Sequence, residues 1–174
     1  MVGSADGIVG TDAGSLRTPC FILGRHMKYL TVAIKKRQLS DLEADAECGL
    51  LDRGVKPYLD RINALDGICT QSSCMGHGRN RMDVTYLNLK VSRRYYERVV
   101  ERLLAFKTAK SLENHGGGLK SYDTDNIVWV QTFYHDFGRC CEPVLRIEMH
   151  NSKVFESVTQ LLEEVMGKKQ HTVK

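Results

Sequence analysis

The sequence predicts a single α+β domain made of two similar strand-strand-helix units, and three observations support this. Two strand patterns followed by a helical pattern occur twice in the chain. Residues 77–79 (His-Gly-Arg) match residues 137–139 (Phe-Gly-Arg), and residues 84–87 match residues 144–147, both at a spacing of 139 − 79 = 60. The glycine-rich residues 115–118 follow a helix instead of a strand, which argues against a doubly wound, Rossmann-type nucleotide-binding fold. Chance is the alternative origin of the repeat, because many small domains contain two such units.

Composition fits one globular domain. The chain has 174 residues, of which 42% are hydrophobic and 26% charged, enough for one core. Residues 1–26 are predicted to be an N-terminal arm, rich in Gly, Ser, Ala and Asp, with Met27 as a plausible alternative start. We predict that residues 27–167 form the domain and that residues 168–174 form a basic tail. No apolar run approaches a membrane span and residues 1–26 lack a secretory pattern, so we expect a cytoplasmic protein.

Two helices are predicted before the first unit. One covers about residues 27–39, packs Leu30 and Ile34, and ends in an exposed basic cluster. The second begins near Pro57 and ends before Gly67, residues that favour the start and the end of a helix. Its buried face is expected to contain Val55, Tyr58, Leu59, Ile62 and Leu65.

The two units are predicted from their periodicity. The strands lie near residues 68–75, 83–91, 127–135 and 143–150. The helices open at Ser92 and Ser152, which are favourable N-cap residues, and Gly167 closes the second. The first helix is expected to bury Tyr95, Tyr96, Val99, Val100, Leu103 and Leu104. The second is expected to bury Val154, Phe155, Val158, Leu161, Leu162, Val165 and Met166.

The most informative stretch is residues 70–77, Thr-Gln-Ser-Ser-Cys-Met-Gly-His, where a strand should carry apolar core. These residues bury little apolar area, yet they offer hydroxyl groups and a thiol, and Gly76 permits close approach of a ligand. A polar edge strand is the alternative interpretation. If the repeat is real, this strand corresponds to the one ending in His135, and we expect the two strand ends to converge in a cleft that binds a ligand.

Positive charge is concentrated on one predicted helix. Residues 93–110 carry six basic and two acidic side chains, so 6 − 2 = +4 lies there, equal to the net charge of the whole chain. A solvated helix face explains this pattern without a function. A surface that faces phosphates is the alternative, to which Arg79 and Arg81 would contribute beside the polar strand.

Six cysteines raise the question of a metal site or a nucleophile. The candidate zinc ligands are Cys69, Cys74, His77, His135, Cys140 and Cys141. Their spacing argues against zinc, because structural sites favour ligand pairs two to four residues apart. A nucleophile formed by Cys74 with His135 or His77 is possible, but a cysteine that packs as a small hydrophobe is favoured. We therefore predict no metal.

Three ordered segments carry a resemblance to a known family. Residues 70–77 are similar to its Ser-Ser-Cys-small-Gly-Arg signature, residues 129–135 (Trp-Val-Gln-Thr-Phe-Tyr-His) to its Trp-to-His strand, and residues 143–150 to the strand after it. On these segments the sequence resembles the tRNA wybutosine-synthesising protein 3 family over about residues 28–166. Position 77 is His where the signature has Arg, which leaves an inactive relative open as an alternative.

The resemblance implies an enzyme that transfers a methyl group from S-adenosyl-L-methionine to a ring nitrogen of a wyosine-type base beside the anticodon of tRNA-Phe. Methyl transfer from a sulfonium donor requires alignment of two reactants and management of one proton, and needs no metal. Without a glycine-rich turn, the cofactor would lie in the cleft of the duplicated α+β unit. A noncatalytic RNA-binding protein is the competing interpretation.

Roles for individual residues are hypotheses motivated by the polar strand, by the strand that corresponds to it in the second unit, and by the basic helix. His135 and Ser73 are the predicted catalytic residues, with His135 orienting the target nitrogen or relaying its proton. The predicted cofactor-binding residues are Ser72, Ser73, Cys74, Gly76, His77 and Trp129. The predicted RNA-binding residues are Arg79, Arg81, Arg93, Arg94 and Arg98.

Overall fold

Strand and helix patterns alternate along the chain, and the computed structural model joins them into one mixed sheet with four helices. It describes residues 26–51, 54–75, 85–115, 125–136 and 140–167. The strands are β1 His26–Met27, β2 Ile68–Cys74, β3 Thr85–Val91, β4 Ile127–Asp136 and β5 Cys140–Met149. The helices are α1 Val32–Glu47, α2 Lys56–Asn63, α3 Arg93–His115 and α4 Val154–Val165. This confirms the α+β class, and each unit has the predicted strand-strand-helix order.

The four long strands are antiparallel and lie in the order β2-β3-β5-β4. Strand β1 pairs in parallel with the start of β5, where His26 lies opposite Cys140. Because β4 occupies one edge of β5 along its length, β1 and β3 share the other edge. An antiparallel sheet of this kind differs from the parallel sheet of a doubly wound fold, as the sequence predicted.

The register of the two central strands reproduces the 60-residue spacing of the sequence repeat. Leu87 of β3 lies opposite Ile147 of β5, and 147 − 87 = 60. Thr85 lies opposite Met149 in the same ladder. Adding 60 to residue 85 gives Leu145 and subtracting 60 from residue 149 gives Leu89, and these two residues also lie opposite each other. The two units are therefore arranged about a local twofold axis through the Leu87–Ile147 pair.

Helices α2, α3 and α4 pack with one face of the sheet to form the core. Its fully buried side chains include Ile62, Ile68, Leu87, Leu89, Leu103, Ile127, Leu145, Ile147, Phe155 and Leu162. The predicted stripe of α4 is buried, except that Met166 lies just beyond the helix and is half-buried. The predicted face of α2 is also buried, with Tyr58 partly exposed and stacked on Phe155.

The first helix differs most from its prediction. It begins at Val32 and ends at Glu47, whereas the periodicity predicted about residues 27–39. The backbone before it pairs with β5, and Thr31 caps the helix by accepting the Ile34 N–H at 3.3 Å. No described helix is long and apolar enough to cross a membrane.

Candidate functional site

The sheet has one face covered by α2, α3 and α4 and a second face that carries polar and aromatic side chains. Residues directly opposite each other in a ladder project to the same side, so the strand registers define rows that cross the sheet. We call two rows on the second face the polar rows. The first consists of Cys74, Tyr86, Glu148 and Trp129, and the second of Ser72, Asn88, Arg146 and Gln131.

An irregularity in β2 decides which of its polar residues reach the polar rows. The register shifts between Thr70 and Ser72, so Gln71 has no direct partner in β3. Ser72 and Cys74 consequently lie in the polar rows, whereas Ser73 faces the helix-covered side opposite Leu87. The Ser73 hydroxyl is buried and has no hydrogen-bond partner within the described residues. The prediction that Ser72 and Ser73 both contact one ligand does not fit this geometry.

The centre of the polar rows holds an arginine in a fixed orientation. The Arg146 guanidinium lies 4.1 Å from the centre of the Tyr86 ring, and its Nε donates to Glu148 Oε1 at 2.7 Å. Beside it, Asn88 Nδ2 donates to Ser72 Oγ at 2.9 Å. The buried Asn88 Oδ1 has no hydrogen-bond partner in the described part of the chain. This centre therefore offers a cation to a ligand, and it contains one buried acceptor without a hydrogen bond.

Edge strand β4 contributes exposed aromatic rings to the same face. Trp129 is 58% exposed and Phe133 is 42% exposed, and both project to this side because they are four residues apart in a strand. Lys107 of α3 donates to the Val128 carbonyl, and its Nζ lies 5.3 Å from the centre of the Trp129 ring. An exposed ring backed by a cation can stack on a flat, electron-rich ligand.

His135 lies far from the serine residues with which it was predicted to act. It is exposed and lies opposite Glu142 at the end of β4. Strands β2 and β4 run antiparallel on opposite sides of the sheet, so their ends point away from each other. Three strand spacings and four residues along β4 separate His135 from Ser72 by about 20 Å. The predicted convergence of the two strand ends is wrong.

The part of this face near the start of β2 is buried beside α1, which packs against β2. It contains the Cys69 thiol and the ion pair of Lys90 with Glu142, and Lys28 also approaches Glu142 at 3.4 Å. Burial raises the pKa of Cys69 to about 11, although the nearby Lys35 and Lys90 charges oppose this. A thiol kept protonated in this way is a poor nucleophile.

The described residues contain no assembled metal site, and they do not bring Cys74 together with His135. No group of three His, Cys, Asp or Glu side chains lies close enough there to hold a metal ion. The described cysteines, Cys48, Cys69, Cys74, Cys140 and Cys141, form no disulfide. Cys74 and His135 lie near opposite corners of the sheet and cannot act as a nucleophile and its base.

The predicted RNA-binding arginines divide into two groups. Arg93, Arg94 and Arg98 are exposed near the start of α3, in the helix layer behind the polar rows. They therefore do not border the polar rows. The predicted residues Gly76, His77, Arg79 and Arg81 lie outside the described residues.

Several residues of the polar rows were missed by sequence reasoning. Tyr86 and Asn88 alternate with buried leucines in β3, and Arg146 and Glu148 alternate with buried Leu145, Ile147 and Met149 in β5. Such alternation was visible in the sequence, but a polar strand face is usually only solvated. Their significance depends on the strand order, which places them between Ser72 and Trp129.

The fold and the polar rows define an antiparallel α+β protein with an accessible, polar and aromatic sheet face. No family model matches the sequence, and no curated protein matches it significantly. A solved structure, the PH1069 protein from Pyrococcus horikoshii, is similar at a TM-score of 0.42 and 11% identity, over 77% of this chain and 87% of that one.

Proposed function

We propose that the protein is an S-adenosyl-L-methionine-dependent methyltransferase acting on a ring nitrogen of a wyosine-type base beside the anticodon of tRNA-Phe. One observation carries the proposal. The three segments that resemble the wybutosine-synthesising family lie on three different strands, the first of them more than 50 residues before the other two, and each contributes side chains to the polar rows. These side chains are Ser72 and Cys74 from the first segment, Trp129 and Gln131 from the second, and Arg146 and Glu148 from the third.

The cofactor would lie beside β2 and β3. Ser72 and Asn88 form a hydrogen-bonded pair there, and the buried Asn88 Oδ1 would accept a bond from the adenine amine or a ribose hydroxyl once the Asn88 side chain turns toward the ligand. S-adenosyl-L-methionine supplies an activated methyl group on its sulfonium when bound. Cys74, next along this side of β2, would form part of the wall. An unsatisfied acceptor is the feature that favours a polar ligand here over an empty surface.

The target base would lie on the other side of the polar rows. Trp129 is three strand spacings, about 14 Å, from Cys74, so it is better placed to stack on the base than to hold the same adenosyl group. Glu148 is directly opposite Trp129, and Arg146 orients its carboxylate. We assign to Glu148 the acceptance of the ring N–H proton as the nitrogen becomes methylated, a role first expected of His135.

The test combines calorimetry and methyl transfer. Wild-type protein should bind S-adenosyl-L-methionine and not adenosine, and Asn88→Ala should weaken this binding at least tenfold. The matched control is Asn151→Ala, because Asn151 is an asparagine that lies outside the polar rows. Glu148→Gln should retain cofactor binding but lose most methyl transfer from labelled cofactor to hypomodified tRNA-Phe. His135→Ala should retain this methyl transfer. Absence of cofactor binding by the wild-type protein would contradict the proposal.

A noncatalytic RNA-binding protein is the second candidate. The exposed Trp129 and Phe133 on β4 and the exposed arginines of α3 favour it, because neither feature requires a cofactor. It predicts that tRNA binds with the same affinity whether or not S-adenosyl-L-methionine is present. A methyltransferase should bind the cofactor on its own.

A further inference from the structure

Strand β4 exposes large aromatic side chains along the edge of the sheet. Trp129, Phe133 and Tyr134 are 58%, 42% and 38% exposed, whereas most other large apolar side chains of the described residues are covered. Trp129 and Phe133 lie on the face that carries the polar rows, with Gln131 between them. Four residues of an extended strand separate the two rings by about 14 Å. Exposed rings that share one face mark a binding surface.

The side chains around these rings favour an anionic occupant. Lys107 lies against the Trp129 ring, and Arg146 lies against the Tyr86 ring in the adjacent part of the face. The charged groups that the structure shows next to these rings are two cations, Lys107 and Arg146, and one anion, Glu148, which pairs with Arg146. Arg146 is already paired with Glu148 through its Nε, so a phosphate would bind its terminal nitrogens, whereas covering these nitrogens with an apolar partner would cost desolvation energy.

This surface, with two exposed rings, an amide between them and a nearby cation, matches single-stranded RNA better than a duplex. Each nucleobase offers a flat face that stacks on an aromatic ring regardless of its identity, and each nucleotide adds one phosphate charge. Gln131, between the rings, can donate to and accept from a base edge. A duplex would keep its bases stacked on one another and would have no use for two separated exposed rings.

We propose that a single-stranded RNA segment lies along β4, with one base on Trp129, another on Phe133, and a phosphate near Arg146. The inference rests on the proposed function, because the base on Trp129 is the target and the base on Phe133 belongs to a nucleotide of the same loop. It assigns RNA contact to the sheet face and not to the arginines at the start of α3. Phe133 then positions the substrate without touching the cofactor.

Trp129 is the single tryptophan of the chain, so its fluorescence reports directly on this surface. An eight-nucleotide single-stranded RNA should quench the emission in a saturable way. Inorganic polyphosphate, which has charge but no bases, should not quench it. Phe133→Ala should weaken RNA binding about tenfold, the loss typical of one stacked base. Leu50→Ala, which truncates another exposed apolar side chain, is the control and should bind RNA like the wild type.

Further measurements separate this inference from the proposed function. Arg146→Gln should reduce the salt dependence of RNA binding by about one phosphate contact. Phe133→Ala should bind S-adenosyl-L-methionine like the wild type. If it also binds RNA like the wild type, the inference fails while the methyltransferase proposal stands. If wild-type protein binds RNA through Phe133 but never binds the cofactor, the proposed function fails and the RNA surface stands. If Trp129 is quenched only as the protein self-associates, measured by sedimentation, a second copy covers this surface and the inference is overturned.

Discussion

Lys90 of β3 and Glu142 of β5 form a buried ion pair, with Nζ 2.7 Å from Oε2 and with 9% and 7% of their side chains exposed. The pair is asymmetric. Glu142 contacts two cations, because Lys28 lies 3.4 Å from it in addition to Lys90. Lys90, in contrast, pairs with a single carboxylate of the described residues, that of Glu142. Loss of the carboxylate therefore leaves a buried ammonium group without a counterion, and loss of Lys90 does not leave Glu142 equally isolated.

Glu142→Leu should consequently destabilise the protein more than Lys90→Met. We expect the free energy of unfolding to fall by about 3–5 kcal/mol for Glu142→Leu, the typical cost of an unpaired buried charge. The double variant should lose less than the sum of the two single losses. Urea unfolding measures all three values. Equal losses in the single variants, or additive losses in the double variant, would contradict the asymmetry.

The same carboxylate predicts how stability changes in acid. Burial raises the pKa of Glu142, but the hydrogen bond and charge of Lys90, and then those of Lys28, outweigh burial and lower the pKa overall. The stabilisation is therefore present above the unfolded value, about 4.3, and is lost as the pH falls through the lower folded value. Unfolding free energies between pH 3 and pH 7 should show a shallower acid decline for Glu142→Gln. The exposed Glu101→Gln variant controls for net charge and should decline like the wild type.

Gly67 should tolerate alanine worse than Gly49 does. Both residues have positive φ, +73° and +72°, so alanine strains the backbone at each position, by about 1–2 kcal/mol. A Cβ at position 67 would also lie 2.6 Å from Ser92 Oγ and 2.8 Å from the Tyr95 ring, whereas at Gly49 nothing lies within 4 Å. Thermal unfolding should show the larger loss for Gly67→Ala. Equal losses would mean that Ser92 and Tyr95 move aside without cost.

Arg61 of α2 joins two acidic residues of α4. It contacts Glu156 at 2.8 Å and Glu163 at 2.8 Å, and all three side chains are partly exposed. Arg61→Ala should destabilise the protein by about 1 kcal/mol, at the upper end for partly exposed pairs. Arg61→Lys should recover only part of this, because lysine lacks the planar fork that binds two carboxylates. Lys56→Ala, which breaks the exposed pair with Asp60, is the control and should cost less than 0.5 kcal/mol, roughly the value of such helix pairs.

Cys69 and Cys48 should differ strongly in reactivity. Cys69 is fully buried and its pKa is raised to about 11, mainly by burial, whereas Cys48 is exposed. Iodoacetamide at pH 8 should label Cys48 in the folded protein and Cys69 only after unfolding, as measured by peptide mass spectrometry. Comparable rates in the folded state would show that the cover over Cys69 opens readily. Urea-unfolded protein provides the reference rate for both thiols.

Local patterns predicted the elements better than they predicted the site. The apolar stripes of α2 and α4 could be read because helix periodicity is local, and Gly67 follows α2 as expected. The start of α1 could not, because residues before Thr31 pair with β5, which is more than 100 residues away in the chain. The face of Ser73 depends on the register shift at Gln71, which no sequence pattern indicates.

The predicted meeting of Ser73 and His135 failed for a related reason. Whether two strand ends meet depends on the relative directions of β2 and β4, which the antiparallel pairing of β3 with β5 sets. The spacing of 60 residues recurs in the register of that central pair, but a twofold axis through Leu87 and Ile147 carries equivalent strand ends to opposite sides. The residues that do share the sheet face with Ser72, such as Arg146, were therefore overlooked.

The central ladder between β3 and β5 also has a consequence for assembly of the chain. Strands β2 and β3 are consecutive, as are β4 and β5, so each unit forms through contacts close in sequence, and we expect the ladder to join the two units last. Two polypeptides produced by a cut between α3 and β4 would each keep one strand-strand-helix unit. Their association would restore the Leu87–Ile147 pairing, so the protein is suited to be split into complementing halves whose binding rebuilds the whole sheet.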